Sequence, residues 1–131
     1  MTILKSTGDP DIDKVHQKMV DLMVYIIAQS ENGTTVGHLK DKLLELSSIA
    51  QNHFKEEEAL MREIEYPFTP THIMAHEDIL SKIRMFLEIL EHSKKDYNVL
   101  LNTLLKVIEK HVEHYDVSLF TFNAHRLELK K

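Results

Sequence analysis

Apolar residues recur every three or four positions along most of the chain, and this spacing predicts α-helices. The clearest stripe belongs to a predicted helix over 36–64, in which the steps of four and three alternate. It consists of Leu39, Leu43, Leu46, Ala50, His53, Glu57, Leu60 and Ile64. Residues at this spacing share one face of a helix, so the face packs against neighbouring helices. Two polar side chains, His53 and Glu57, are therefore predicted to lie in the core.

Three more helices follow from the same rule. A helix over 11–30 carries Ile12, Val15, Met19, Leu22 and Ile26, and Asn32-Gly33 is a stop signal. Pro67 and Pro70 mark a turn, since proline lacks the amide hydrogen that a helix interior needs. A third helix follows this turn, and Thr69 or Thr71 can cap its N-terminus. The polar run 92–96 ends it. Its stripe consists of His72, His76, Ile79, Ile83, Leu87 and Leu90. The last helix carries Leu100, Leu104, Ile108, His111 and Tyr115, and a short amphipathic tail carries Leu119, Phe120, Phe122 and Leu127.

Four helices joined by short links predict an all-α fold, an up-down-up-down four-helix bundle with a short N-terminal arm and a short C-terminal helix. The chain has 131 residues, which suits one domain over 1–131 better than two. Three glycines, three prolines and no tryptophan argue against an all-β or loop-rich protein. We also expect a monomer.

The charge and composition remove several classes of function. The net charge is −5 and no basic cluster is present, so a nucleic-acid partner is not expected. There is no cysteine, which excludes disulfides and thiolate metal sites. Neither a signal peptide nor an apolar stretch of membrane-spanning length is recognisable, so we expect a cytoplasmic protein without membrane contact.

Metal-binding residue types lie on the apolar stripes of all four helices. His53 and Glu57 are four residues apart, as are His72 and His76, so each pair can chelate from adjacent turns. His16 adds a further imidazole from the first helix.

His111 and Asp116 are five residues apart, which in an α-helix places them about 140° apart around the axis. That offset favours an aspartate that bridges two metals over one that shares a single metal with His111. Five histidines and two carboxylates thus converge from four helices.

Burial makes a metal the preferred explanation for this convergence. An unpaired carboxylate in a bundle core costs several kcal/mol, and a bound cation removes that cost. The alternative is a bundle whose core histidines are satisfied by hydrogen bonds alone. Nitrogen and oxygen ligands favour iron, manganese or zinc, and two carboxylates that can bridge indicate a pair of ions. A histidine-rich set favours mild exchange between ferrous and ferric iron, and hence reversible oxygen binding.

Four segments together resemble the hemerythrin family, over nearly the whole chain. They are Ile-Asp-Lys-Val-His at 12–16, His-Phe-Lys-Glu-Glu-Glu-Ala-Leu-Met at 53–61, His-Ile-Met-Ala-His at 72–76 and His-Val-Glu-His-Tyr-Asp at 111–116. The resemblance implies two iron ions with a bridging solvent-derived oxygen, and an open position for dioxygen on the iron with fewer histidines. It implies that one iron is held by His72, His76 and His111, the other by His16 and His53, and that Glu57 and Asp116 bridge them.

The residues expected around bound oxygen are Ile108, Val112 and Tyr115. The family's usual tryptophans are missing, which suggests a roomier pocket. For Tyr115 a core position with the hydroxyl reaching solvent is the alternative. His38, His92, His114 and His125, and the glutamates Glu56 and Glu58 beside Glu57, are predicted to be solvated surface residues.

Three functions are compatible with these features. The leading hypothesis is a non-enzymatic protein that binds dioxygen reversibly, for storage, transport or delivery. The second is a sensor whose surface changes when oxygen or nitric oxide binds and is recognised by a partner protein. The third is an enzyme that reduces nitric oxide or peroxide at the same di-iron centre.

Overall fold

The computed structural model describes residues 4–92 and 97–130, and the regular structure of these two stretches is helical. The elements are α1 (Pro10–Glu31), α2 (Val36–Glu63), α3 (Thr69–His92), α4 (Asn98–His111), a π-helical turn (Val112–Asp116) and α5 (Val117–Leu129). α2 packs on α1 and α3, while α4 packs on α1 and α3, so the four helices form a closed ring. This confirms the predicted all-α bundle. None of the helices in the described stretches has the length and apolar character that a membrane span requires.

The ends of the first helix follow from local chemistry. The Asp9 side chain accepts hydrogen bonds from the backbone N–H groups of Asp11 and Ile12, and Pro10 occupies the first turn, where its missing N–H costs nothing. At the other end Gly33 has φ +75°, a conformation that suits glycine at a helix terminus. The predicted stop at Asn32-Gly33 is thus confirmed.

The proline-marked turn also lies where the sequence predicts it, but the cap differs. Thr69 is the first residue of α3, and its hydroxyl donates to the carbonyl of Tyr66 at 2.6 Å. It therefore stabilises the preceding turn instead of capping the helix. α3 ends at His92, and the rest of the predicted polar link, 93–96, lies outside the described residues.

The apolar core has a large and a small part, with the polar residues between them. The large cluster fills the bundle from Met19 to Ile26 in α1 and from Ile79 to Leu90 in α3, together with the facing parts of α2 and α4. The small cluster joins the end of α2 to α5 and consists of Met61, Ile64, Tyr66, Leu119 and Phe120.

Three predicted core positions are wrong by one residue. Leu22 is half-buried while Met23 is fully buried. Leu100 is 43% exposed while Leu101 is fully buried, and Leu87 is half-buried while Phe86 is buried. Where leucines or aromatics are adjacent, the spacing fits either of them, and only the direction of the neighbouring helix decides which one is covered.

A π-helical turn joins α4 to α5. The backbone N–H of Val117 donates to the carbonyl of Val112, five residues back, whereas an α-helix makes this bond over four residues. His111, Val112 and Val117 all keep right-handed helical angles, so the predicted C-terminal helix continues α4 through this turn. Turns of this kind frequently mark functional sites.

The fold yields a first prediction about stability. Leu46→Ala removes a fully buried side chain from the large cluster and should lower the free energy of unfolding by about 2–5 kcal/mol. Leu44→Ala in the same helix is the control, since Leu44 is 47% exposed; its effect should stay below about 0.5 kcal/mol. Urea unfolding followed by circular dichroism measures both, and equal losses would contradict the described packing of α2.

Candidate metal centre

Seven metal-binding side chains meet between the two apolar clusters. Each of the four bundle helices contributes at least one, and the π-helical turn contributes the last. All seven are at most 5% exposed. They are His16 of α1, His53 and Glu57 of α2, His72 and His76 of α3, His111 of α4 and Asp116 of the π-helical turn. The structure thus brings together the complete set that the sequence predicts.

The seven residues form two overlapping groups whose potential ligand atoms lie within 4.8 Å of one another. The three-histidine group comprises His72, His76, His111, Glu57 and Asp116, and the two-histidine group comprises His16, His53, Glu57 and Asp116. The carboxylates belong to both groups, whereas each histidine belongs to one.

Glu57 directs one oxygen toward each group. Its Oε1 lies 3.0 Å from His76 Nε2 and 3.6 Å from His72 Nε2. Its Oε2 lies 3.2 Å from His53 Nε2 and 3.9 Å from His16 Nε2. A carboxylate held in this way can bridge two cations, because each of its oxygens faces a different set of imidazoles.

Asp116 divides its oxygens in the same manner. Its Oδ1 lies 2.9 Å from His72 Nε2 and 3.2 Å from His111 Nε2, and its Oδ2 lies 3.0 Å from His16 Nε2. The Nε2 atoms of His16 and His53 are 2.9 Å apart, so both ring nitrogens face the same small region. Two such regions, one in each group, are bordered by nitrogen and oxygen atoms from several helices.

The π-helical turn explains why His111 and Asp116 meet. A continuous α-helix would place them about 140° apart, and this expectation from the sequence is wrong. The extra residue in the turn is absorbed by the five-residue hydrogen bond, so Asp116 comes within 3.2 Å of His111 Nε2 while still reaching His16. Asp116 can therefore share a cation with His111 and also bridge to the other group.

The electrostatics of the metal-free cluster favour charged carboxylates. Burial and the nearby Asp116 act to raise the pKa of Glu57, but hydrogen bonds from His53, His72 and His76 outweigh them and hold it below its usual range. Burial likewise acts to raise the pKa of Asp116, and its imidazole partners hold it well below its usual range.

The histidine His72 shows the opposite effect. Burial acts to lower its pKa, but hydrogen bonds to Asp116 and Glu57 raise the pKa to about 9. Protons on imidazoles therefore balance the carboxylates when no cation is bound, and metal binding must displace protons.

Within the described residues, several buried polar atoms of the cluster have close imidazole or carboxylate neighbours but no hydrogen bond of good geometry. They include the Nε2 of His111, the Oε2 of Glu57 and the Oδ2 of Asp116. Buried polar atoms without partners are uncommon and costly, so each indicates something that binds there. Because these atoms face the interior of the two groups, the residues fit a pair of cations.

Aromatic rings enclose the three-histidine group. Phe54 stacks on His76 with ring centroids 3.9 Å apart, and Tyr115 stacks on His111 at 5.1 Å. Tyr115 is half-buried, which agrees with a ring packed on the site.

Ile108 and Val112 are both buried, as a lining role requires. Three surface cavities each border one histidine of the cluster, namely His76, His16 and His72, and neither Ile108 nor Val112 lines any of them. The oxygen pocket at these two residues stays a prediction.

Glu58 is the site residue that sequence reasoning missed. It was predicted to be solvated like Glu56, but its carboxylate accepts a hydrogen bond from Nδ1 of His76 at 2.9 Å. Glu56 is exposed as predicted. The helical period alone does not distinguish the two, because the approach of α3 determines which glutamate beside Glu57 is covered.

The other histidines lie outside both groups. His92, His114 and His125 are exposed as predicted. His38 is half-buried and hydrogen-bonded to the Tyr25 hydroxyl at 3.0 Å, so its environment is less solvated than expected.

Comparison with known proteins agrees with this arrangement. The model of the family described as "Hemerythrin HHE cation binding domain" matches residues 7–122. The chain belongs to the hemerythrin family. Two curated relatives named "Bacteriohemerythrin", from Campylobacter jejuni subsp. jejuni serotypes O:6 and O:2, are each 30% identical over 98 residues, 75% of this chain and 71% of the relative. A third, from serotype O:23/36, is 29% identical over the same length. No solved structure matches the chain.

The hemerythrin-family match includes every residue of the two groups, since His16 and Asp116 are the first and last of them. The resemblance proposed from four short segments is therefore confirmed at the level of the family.

The pKa shifts predict how the stability of the metal-free protein depends on pH. The carboxylates Glu57 and Asp116 have lowered pKa values, so their contribution is complete above about 4.5 and is lost as the pH falls. His72 has a raised pKa, so its contribution is complete below 6.5 and is lost as the pH rises through about 9. With a chelator present, the unfolding midpoint in urea should be highest near pH 5.5 and fall on both sides. An equal midpoint at pH 5.5 and 9.5 would contradict the His72 environment, and His72→Gln should flatten the alkaline side.

Proposed function

We propose that this protein binds two iron ions at the seven clustered residues and uses them to bind dioxygen reversibly. One observation carries the proposal: Glu57 and Asp116 each direct one oxygen to a three-histidine group and the other to a two-histidine group. A single-metal site has no use for two carboxylates divided in this way.

The type of ligand supports iron. Imidazole and carboxylate without thiolate suit iron, manganese and zinc, and membership of a family described as cation-binding narrows the class of ligand to a metal. Relatives named bacteriohemerythrin favour non-haem iron among these metals. His72, His76 and His111 would hold one ion, His16 and His53 the other, and the two carboxylates would bridge them.

The unequal histidine number supports a small-molecule site on one side. When bound, the iron pair supplies the two electrons that reversible capture of dioxygen requires. The two-histidine group offers one imidazole fewer, so it leaves room for an additional ligand. The residues that we propose around this ligand are Ile108 and Val112, whose buried apolar side chains would exclude water, with Tyr115 at the neighbouring histidines.

Metal content and the role of Glu57 form the first test of this function. Protein prepared anaerobically with ferrous iron should contain two irons per chain. Glu57→Ala should lose both, because a bridging carboxylate positions both ions. Glu56→Ala, on the exposed neighbour, should keep both. One tightly bound zinc in the wild type, or two irons with an unchanged spectrum in Glu57→Ala, would contradict the proposed bridge.

An optical titration with oxygen tests reversibility. Anaerobically reduced protein should develop a new absorption on addition of oxygen and lose it when the oxygen is removed, with return of the reduced spectrum. A response to oxygen that is irreversible and consumes reductant would favour the reductase alternative. Reversible binding accompanied by a large change in surface protection from hydrogen exchange would favour a sensor.

The proposed pocket makes a prediction about rates. Val112→Phe should slow oxygen binding by narrowing the space near the two-histidine group, and Val112→Ala should shorten the life of the oxygenated form by admitting water. Stopped-flow absorbance measures the first rate and slow spectral decay the second. Val107→Ala, in the adjoining helix α4 and half-buried against the large apolar cluster, is the control. If all variants behaved alike, oxygen would enter elsewhere, for example beside His16.

A further inference from the structure

One histidine of the cluster differs from the other four in its second ring nitrogen. His76 directs Nε2 toward Glu57 and donates from Nδ1 to Oε2 of Glu58 at 2.9 Å. Among the described residues, the corresponding Nδ1 atoms have no hydrogen-bond partner in the other four, which are His16, His53, His72 and His111. Glu58 therefore supports a single member of the three-histidine group.

The surroundings of the His76 imidazole hold the ring in one orientation. The His76 side chain is 1% exposed, and Phe54 stacks on it with an interplanar angle of 7°. Phe54 fixes the plane of the ring, and the Glu58 carboxylate fixes its rotation within that plane. Together they leave Nε2 directed at the three-histidine group.

Glu58 can accept this hydrogen bond with a small desolvation penalty because its side chain lies at the protein surface. Its side chain is 21% exposed and, together with Phe54 and His76, borders an open cavity of about 360 Å³ between α2 and α3. The Oε1 atom is 4.0 Å from the exposed guanidinium of Arg62. The side chain thus stays partly exposed to solvent while Oε2 accepts from the buried imidazole, so full desolvation of the carboxylate is avoided.

We propose that Glu58 is a positioning residue that orients His76 and increases its electron donation to the metal of the three-histidine group. This inference rests on the proposed function, since it takes His76 Nε2 as a metal ligand. A carboxylate that accepts from the free N–H of a ligating imidazole fixes its tautomer and makes it a stronger ligand. Because Glu58 acts on one of the two groups, it makes the two metal positions electronically unequal beyond the difference in histidine number.

Two substitutions separate orientation from charge. Glu58→Gln keeps a side-chain oxygen that can accept from Nδ1 but removes the negative charge, whereas Glu58→Ala removes both. Glu56→Gln and Glu56→Ala are the matched controls, since they make the same changes two residues earlier on the exposed face of α2.

The first measurement uses zinc, which is diamagnetic and needs no oxygen chemistry. In the zinc-loaded wild type, NMR should show a slowly exchanging, strongly downfield Nδ1 proton on His76. This proton should shift upfield in Glu58→Gln and exchange rapidly in Glu58→Ala. Zinc affinity, measured by chelator competition, should fall in the order wild type, Glu58→Gln, Glu58→Ala, with about a tenfold loss for Glu58→Ala. Both Glu56 variants should match the wild type.

The second measurement uses the iron-loaded protein. Removal of the carboxylate charge disfavours ferric iron, so the midpoint potential should rise in both Glu58 variants and stay unchanged in both Glu56 variants. A purely structural role would lower the thermal midpoint without moving the potential or the His76 proton.

The outcomes distinguish this inference from the proposed function. If the wild type bound two metals and the Glu58 and Glu56 variants matched it in affinity, proton resonance and potential, the inference about Glu58 would be wrong and the proposed function would stand. If the wild type bound no metal, the proposed function would fail and the inference with it.

Discussion

The structure depends on the burial of two carboxylates among five imidazoles in the middle of the bundle. Taking Glu57 and Asp116 out of water is costly, and their mutual repulsion adds to the cost. Positive charge must therefore be present at the same level, either as protons on the imidazoles or as bound cations. This requirement explains why every bundle helix contributes a polar residue to an otherwise apolar core, and why those residues lie at one level between two apolar clusters.

The two carboxylates allow one cluster to present two groups of potential ligand atoms. Each of the two carboxylates lies between the two histidine groups and directs one oxygen to each of them. Because the carboxylates come from different elements, together they fix the distance between the groups. Glu57 reaches the cluster from regular α-helix, whereas Asp116 needs the π-helical turn. The π-helical turn thus brings Asp116 into the cluster without interrupting the continuous helix formed by α4 and α5.

The surroundings of the two groups are unequal. The three-histidine group is enclosed by the rings of Phe54 and Tyr115 and supported from outside by Glu58. The two-histidine group has one imidazole fewer, and His16 lies beside a small cavity under the N-terminal arm. The three-histidine group is thus held by neighbouring side chains, while the two-histidine group has room for another ligand. This difference suits a metal centre that retains its metals and exchanges a small ligand.

The helical period predicted the four helices, and proline and glycine signals predicted their approximate ends. The seven residues of the cluster were predicted from ligand-type side chains on or beside the apolar stripes, because buried polar residues are costly unless something binds them. Side-chain chemistry at those positions also indicated the family. Tertiary structure decided what depends on the neighbour's direction of approach: that Leu101 is buried in place of Leu100, and that Glu58 reaches His76 while Glu56 stays exposed. It also decided the π-helical turn, because a five-residue spacing is compatible with several backbone paths. Only packing against the neighbouring helices selects the path that brings Asp116 to both histidine groups.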